Sequence, residues 1–203
     1  MPYPSKTDRQ TILAAALKHL THSDIRDMSL RTLAASLDLA PNAIYRYFSD
    51  RAALESALAG EAARQMEGAL RKAADGCEPI AAIREMSAAY LKFAKNNHHL
   101  YDMLLSPHVP KSDTTRHENL WTFTLGQVQR ISGPNLAAQS SVALWALLHG
   151  AAELEAAGVL GERKPASGVG FGLEAWIAAV VSNPTQATPV KFKKTAALKK
   201  GPA

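Results

Sequence analysis

The strongest constraint on the fold lies in residues 29–51, where two short segments with apolar faces are separated by a tight turn. In the first segment, Leu30, Leu33 and Leu37 recur at the spacing that places side chains on one face of a helix. Pro41 follows the turn, and proline fits best in the first turn of a new helix, where its missing N–H would be unbonded anyway. The stretch therefore predicts two helices packed across a turn.

The second helix, predicted over residues 41–48, has an outer face that is unusual for a soluble protein. Ile44 and Phe48 are four residues apart and form its inner side. Tyr45 and Tyr47 lie about 200° apart on a helix, so the alternative of a packed hairpin with both tyrosines in its core conflicts with their spacing. The second helix of a helix-turn-helix enters the DNA major groove, and phenol groups there can meet phosphates. The pattern favours DNA binding.

An ordered set of motifs over about 50 residues resembles the DNA-binding domain of the TetR (tetracycline-repressor) family of bacterial regulators. The motifs are Ile-Leu-x-Ala-Ala-Leu at 12–17, Ser-Leu-Arg-x-Leu-Ala at 29–34, Ile-Tyr-Arg-Tyr-Phe at 44–48 and Asp-Arg-x-x-Leu at 50–54. Asp24 and Asp38 stand where the family commonly has glycine, and Ala40 stands where Ser or Thr caps the second helix. Because Asp tolerates left-handed backbone, we expect the turns to persist while that cap is lost.

The resemblance implies a homodimer that reads a double-stranded, palindromic operator. The residues implied to face bases are Arg31, Pro41, Asn42 and Ala43. The residues implied to hold phosphates are Ser29, Thr32, Tyr45, Tyr47 and Arg51.

The remainder of the chain predicts helices and no strands. Apolar residues recur at helical spacing over residues 6–20, 49–74, 79–97, 98–105, 113–131, 136–157 and 171–182. We expect an all-α fold in which an N-terminal three-helix helix-turn-helix domain, residues 1–50, is joined by a long helix 4 to a C-terminal ligand-binding and dimerisation domain, residues 51–183. A helix 4 of 25 residues would span roughly 37 Å, enough to join two bodies.

Composition constrains the compartment and the partners. The net charge is +5, and residues 184–203 hold five lysines and no acidic residue, so we predict a basic flexible tail that either contacts DNA or only solubilises the chain. The single cysteine, Cys77, cannot form an internal disulfide, which suits a reducing cytoplasm. The longest uncharged stretch, residues 131–152, contains several polar residues and fails as a membrane span. We expect a cytoplasmic protein with no membrane partner.

Two C-terminal segments, residues 136–157 and 171–182, are apolar on nearly all sides. A helix apolar all round must be covered all round, which predicts a homodimer through both helices. The predicted interface residues are Trp145, Leu148, His149, Ala152, Trp176, Ile177 and Val180. Within the first segment, Trp145-Ala-Leu-Leu-His149-Gly150 resembles a Trp…His-Gly signature of one C-terminal class of the same family, and Gly150 would permit close helix approach.

Methionine and aromatic residues cluster on predicted helices 4 to 7. They are Met66, Met86, Tyr90, Phe93, Tyr101, Met103 and Trp121. Ordinary core packing would use the same residue types. The family resemblance instead favours an apolar pocket for a small effector, with Tyr and Trp as polar handles.

Metal binding and catalysis receive little support from the sequence. Histidines 98, 99, 108 and 117 lie near Asp102, but His98 and His99 are adjacent and would point about 100° apart on a helix, so no metal or cofactor is predicted. No spacing supports a convergent catalytic site, which leaves a helical-bundle enzyme as a distant alternative. We expect a repressor that releases its operator on binding a small apolar or aromatic molecule; the nearer alternatives are a regulator without a small ligand, or an activator.

Overall fold

A computed structural model of the chain describes residues 7–106, 109, 115–159 and 165–182. This part is helical and contains no strand, which confirms the all-α prediction. The elements are α1 (Arg9–Leu20), a 3-10 helix (Ile25–Asp27), α2 (Leu30–Ser36), α3 (Pro41–Ile44), α4 (Arg51–Ala74), α5 (Pro79–Asn96), α6 (His98–Leu105), α7 (Thr115–Ser132), α8 (Ala137–Ala156) and α9 (Pro165–Ser182). The predicted basic tail and His108 lie outside the described residues.

Several helix boundaries differ from the sequence prediction by two or three residues, and two differ by more. The α-helical part of α3 ends at Ile44, and a turn continues to Tyr47. Helix α9 begins at Pro165, six residues before the predicted start. Its first turns contain Gly168 and Gly170, and glycine disfavours helix when only local propensity is considered.

Residues 7–50, called the head below, form one end of an apolar core that continues through α4 into the rest of the chain. Ile12 of α1, Leu33 of α2 and Ile44 of α3 meet in it, and all are buried. Phe48 closes one side, and the guanidinium of Arg9 lies 4.7 Å from the centre of its ring. These contacts hold α3 across α2 and leave the outer side of α3 exposed to solvent.

The helices α5 to α9 are called the body below: α5, α6 and α7 pack on α4, and α8 and α9 pack on α5, α7 and each other. Helix α4 has 24 residues and contacts α1 of the head as well as α5, α6 and α7 of the body. Leu54 and Leu58 are fully buried near its start, and Met66 and Leu70 are buried further along. One rigid helix therefore belongs to both parts. No helix in the described ranges is long and apolar enough to cross a membrane.

Candidate DNA-binding surface and effector cavity

The turns of the head are stabilised by local hydrogen bonds. Ser29 and Thr32 form a capping box: the Thr32 N–H donates to Ser29 Oγ at 3.0 Å, and the Ser29 N–H donates to Thr32 Oγ1 at 3.1 Å. Asp38, between α2 and α3, has a φ of +54°, the left-handed conformation expected there. Asp24 has an ordinary φ of −67°. Its carboxylate caps the 3-10 helix by accepting a hydrogen bond from the Arg26 N–H. Ala40 provides no side-chain cap, as predicted.

The outer side of the helix-turn-helix is exposed. Arg31, Thr32, Pro41 and Asn42 are exposed and Ala43 is half-buried, so the start of α3 is open to a partner. The Tyr45 side chain is 51% exposed, the largest value for an aromatic residue of the head. Arg46 is also exposed, although it was not among the predicted contacts. The sequence Tyr45-Arg46-Tyr47 already indicated a phosphate contact by Arg46, because a basic residue beside an exposed tyrosine suits a phosphate.

Two predicted phosphate contacts are occupied within the chain. The Tyr47 hydroxyl donates to the Thr7 carbonyl at 2.7 Å. The guanidinium of Arg51 donates to the carbonyls of Met28 and Ile25 at 2.8 and 2.7 Å, and its Nε donates to Glu55. Both side chains thus hold the head together, and Arg51 fixes the start of α4 to it. A phosphate contact by either one would require exchange of these bonds.

A cavity of about 410 Å³ lies between α4, α5, α6, α7 and α8. Its size falls within the range of small-molecule pockets in proteins. Its wall consists of Met66, Leu70, Met86, Ser87, Tyr90, Leu104, Leu105, His117, Glu118, Leu120, Trp121, Thr124, Ser141, Leu144, Trp145 and Leu148. Four predicted pocket residues, Met66, Met86, Tyr90 and Trp121, line it.

The other three predicted pocket residues, Phe93, Tyr101 and Met103, are buried elsewhere in the core. The sequence prediction also missed the contribution of α8, which lines the cavity with Ser141, Leu144, Trp145 and Leu148. Their spacing of three, four and seven residues is that of one helix face, but the surrounding apolar residues concealed it.

A chain of hydrogen bonds joins the residues of the Trp…His-Gly signature to the cavity wall. Trp145 Nε1 donates to the Tyr90 hydroxyl at 3.1 Å. The Tyr90 and Tyr101 hydroxyls are 2.9 Å apart, and the Tyr101 hydroxyl is 2.7 Å from His149 Nδ1. Burial raises the pKa of both phenols, so they stay neutral at ordinary pH. The two signature side chains thereby connect α8 to α5 and α6.

A buried carboxylate connects the cavity wall to the middle of α4. Glu61 is 8% exposed and accepts hydrogen bonds from Arg64, Gln65 and Arg116. Arg116 belongs to α7, its Nη1 is 2.9 Å from Glu61 Oε2, and it immediately precedes two residues of the cavity wall. The hydrogen bond from Arg64 lowers the pKa of Glu61, so this carboxylate is ionised at neutral pH.

Four of the seven predicted interface residues are buried within the chain itself. Leu148, Ala152, Ile177 and Val180 are buried in the chain. Trp176 is half-buried, and its Nε1 donates to the Ser140 carbonyl at 3.1 Å. Trp145 and His149 take part in the hydrogen-bond chain above, but Trp145 is also 44% exposed, so its interface role stays a prediction. A segment that is apolar on all sides gives no indication of which side turns inward.

A different set of apolar residues, four alanines and one leucine, is exposed on α8 and α9, which pack against each other. They are Ala143, Ala146 and Leu154 on α8 and Ala175 and Ala179 on α9. A methyl group placed on Gly150 would meet nothing within 4 Å. No described part of the chain therefore makes the close helix approach that Gly150 would permit.

The histidine cluster does not form a metal site in the part of the chain that the structure describes. His98 Nε2 lies 3.6 Å from Asp102 Oδ2, which is a surface pair within one helix. Among the described residues, no three His, Cys, Asp or Glu side chains come close enough together to hold an ion.

A helix-turn-helix head joined by a long helix to a helical body with an apolar cavity defines a DNA-binding transcriptional regulator. Two family profiles match the chain: bacterial regulatory proteins, tetR family, over residues 12–58, and tetracyclin repressor-like, C-terminal domain, over residues 83–169. Together they cover more than half of the sequence. The chain therefore belongs to the TetR family of bacterial transcriptional regulators.

Solved structures share this fold at low sequence identity. A protein of unknown function from Rhodococcus sp. RHA1 is similar with a TM-score of 0.75 and 24% identity, over 89% of this chain and 99% of that one. A single-residue variant of TetR from Acinetobacter baumannii AYE in complex with minocycline is similar with a TM-score of 0.64 and 18% identity, over 89% and 99%. At these identities the likeness concerns the fold alone. No curated protein matches the chain significantly.

Proposed function

We propose that this chain is a homodimeric, cytoplasmic repressor that releases a palindromic operator when a small apolar or aromatic molecule enters the cavity. The observation that carries the proposal is the path of α4. At its start, Arg51 donates to two backbone carbonyls of the head. Further along, Met66 and Leu70 line the cavity. A ligand that repositions α4 would therefore also reposition the head.

Two further connections support this coupling. Helix α6 contacts α1 of the head, and its Leu104 and Leu105 line the cavity. The ion pair between Glu61 and Arg116 joins α4 to the first turn of α7, beside the cavity wall. A regulator that takes no small ligand would leave a cavity of about 410 Å³ without a role.

On the DNA, we assign base reading to the start of α3 and phosphate contacts to its exposed end. Asn42 is exposed in the first turn of α3, where a side chain in the major groove reaches base edges. Tyr45 and Arg46 follow on the exposed side and suit phosphates. Tyr45 replaces Tyr47 as the stronger candidate, because the Tyr47 hydrogen is already donated to Thr7.

Substitutions at Asn42 and Tyr45 are expected to have different consequences. Asn42→Ala should lower affinity for the preferred operator by about 1–3 kcal/mol and relax preference at one base pair, because a direct base contact carries sequence information. Tyr45→Phe should weaken binding to all duplexes, because a phosphate contact does not. The measurement is fluorescence anisotropy with an operator selected from random duplexes and with scrambled duplex.

Asn135→Ala, an exposed asparagine far from the head, serves as the control and should leave both affinities unchanged. Equal losses on operator and scrambled DNA for Asn42→Ala would remove Asn42 from the base-reading residues.

The buried Glu61 is expected to stabilise the junction in a pH-dependent way. Glu61→Gln should lower the free energy of unfolding at pH 7 by about 1–3 kcal/mol, because hydrogen bonds to charged partners are lost. The folded-state pKa of Glu61 lies below its ordinary value of 4.5. Its contribution is therefore fully present above pH 4.5, and it disappears as the pH falls through the folded-state pKa. Denaturant unfolding of the unmodified protein and of Glu61→Gln, at pH 7 and near pH 3.5, measures the cost of the substitution and its dependence on pH.

Glu67→Gln is the matched control, since Glu67 pairs with the mostly exposed Arg71 on the same helix. Pairs of this kind contribute about 0.3–0.5 kcal/mol. The assigned role would be contradicted if Glu61→Gln lowered the free energy of unfolding no more than Glu67→Gln does. It would also be contradicted if the loss for Glu61→Gln were the same at low pH as at pH 7.

A further inference from the structure

We infer that the effector is a neutral aromatic molecule carrying a hydroxyl group, and that Ser141 on α8 is the anchor for that hydroxyl. The inference rests on the proposed function, because it assigns a chemical class of ligand to the cavity proposed to receive the effector.

Ser141 is a wall residue whose side-chain hydroxyl has no hydrogen-bond partner among the described residues. It is 1% exposed. The two other wall hydroxyls that belong to Ser and Thr are satisfied by their own helices: Ser87 Oγ donates to the Ile83 carbonyl and Thr124 Oγ1 to the Leu120 carbonyl. A buried hydroxyl without a partner is costly, and a ligand oxygen beside Ser141 would remove that cost.

Tyr90 supplies a second, more limited polar contact. Its hydroxyl has one hydrogen and two lone pairs, and it accepts one hydrogen bond from Trp145. If Tyr90 donates to Tyr101, one lone pair remains for a ligand. If instead His149 donates to Tyr101 and Tyr101 to Tyr90, the Tyr90 hydrogen remains. A ligand hydroxyl, which both donates and accepts, matches either arrangement.

The charges of the wall select a neutral ligand. The described wall contains no Lys or Arg, and its one carboxylate, Glu118, would repel an anion. A buried ligand carboxylate would therefore meet no Lys or Arg, and only the imidazole of His117 could offer it a positive charge, so its burial carries a large desolvation cost. Met66 and Met86, together with Trp121 and Trp145, offer thioether and ring surfaces that favour an aromatic group.

The test compares three probes of one shape: biphenyl, 4-hydroxybiphenyl and biphenyl-4-carboxylate. Their binding to the full chain at pH 7.5 is measured by titration calorimetry. We expect 4-hydroxybiphenyl to bind about two- to tenfold more tightly than biphenyl, the range of one net hydrogen bond. The carboxylate should bind about tenfold more weakly than biphenyl, or more weakly still.

Ser141→Ala should remove the advantage of the hydroxyl while leaving biphenyl binding unchanged. The same change should not lower the melting temperature of the ligand-free protein, because the lost hydroxyl had no partner. Ser140→Ala is the control: this neighbouring serine is also buried but is outside the cavity wall, so the probe affinities should not change.

The outcomes separate the inference from the proposed function. If biphenyl binds but the hydroxyl adds nothing, if Ser141→Ala leaves the hydroxyl preference intact, or if the carboxylate binds best, the inference is overturned and an effector cavity remains. If none of the three probes binds, the inference and the effector role of the cavity are both overturned.

Discussion

Replacing Ala143 by arginine is expected to convert the proposed dimer into monomers and to lower operator affinity by about a hundredfold or more. Ala143 is exposed on α8, beside the contact with α9, in the group of small apolar residues that includes Ala146, Ala175 and Ala179. Small side chains allow a second pair of helices to approach closely. A two-fold interface uses the same patch on both chains, so one substitution would introduce two charges into it.

The loss of affinity follows from the arrangement of half-sites. Each subunit carries one recognition helix, α3, and a linked pair of subunits binds its second half-site at a high effective concentration. A monomer must bind each half-site independently, and the linkage is lost without any change to α3 itself. Sedimentation gives the assembly state, and anisotropy with the operator gives the affinity.

Ala138→Arg is the matched control for this prediction. Ala138 is also an exposed alanine of α8, but it lies five residues away and therefore about 140° around the helix. It should leave both the dimer and operator affinity intact. Val180 is unsuitable as a test position, because it is buried and a charge there would damage the subunit. A dimer that persists in Ala143→Arg would place the interface elsewhere.

The fold was predictable because its determinants are local in the sequence. The capping box of Ser29 and Thr32, the left-handed turn at Asp38 and the apolar spacing of Leu33 and Ile44 act over a few residues. Each can be read from side-chain type and spacing alone. The family motifs of the head are built from the same local features.

The DNA-binding surface was only partly predictable, because two of its polar side chains have distant partners. Helical spacing places Tyr47 and Arg51 away from the core of α3. The structure shows Tyr47 bonded to Thr7, 40 residues earlier, and Arg51 bonded to carbonyls 23 and 26 residues earlier. A sequence pattern indicates on which side of a helix a residue lies. It does not indicate which distant carbonyl accepts a hydrogen bond from that side chain.

The cavity was the least predictable feature. Tyr90 and Tyr101 are both buried aromatic residues, yet only Tyr90 lines the cavity of about 410 Å³, and Tyr101 borders a different pocket beside α5 and α8. Composition predicts burial, but whether a buried side chain meets another side chain or empty space depends on how five helices pack together. Helix α8 adds a second difficulty, since its all-round apolar sequence does not distinguish the cavity side, with Leu144, from the exposed side, with Ala143.

Ligand and operator are expected to weaken each other's binding by the same factor, about 5- to 150-fold. In a dimer the two recognition helices must be held about one turn of DNA apart, roughly 34–36 Å. Helix α4 starts at Arg51, which is bonded to the head, and continues past the cavity wall at Met66. A ligand that favours a different tilt of α4 would change the separation of the recognition helices and weaken contacts on both half-sites.

The Glu61–Arg116 pair provides a specific test of this path. Arg116→Gln should leave operator affinity and the affinity of the free protein for 4-hydroxybiphenyl nearly unchanged, because Arg116 belongs neither to the DNA-binding surface nor to the residues that line the cavity. Arg116→Gln should reduce the coupling between ligand binding and operator binding, because α7 and α4 lose the ion pair that connects them. Arg130→Gln, at the exposed end of the same helix, is the control and should preserve the coupling.

Both directions of the coupling can be measured. Anisotropy gives operator affinity with and without saturating 4-hydroxybiphenyl, and calorimetry gives the affinity for that compound with and without saturating operator. Thermodynamic linkage requires the two ratios to be equal in the unmodified protein. Suppose the compound binds free and operator-bound protein equally well. Occupancy of the cavity would then have no means of shifting α4, and the mechanism of ligand-driven release would fail, while the family membership and the DNA-binding surface would be unaffected.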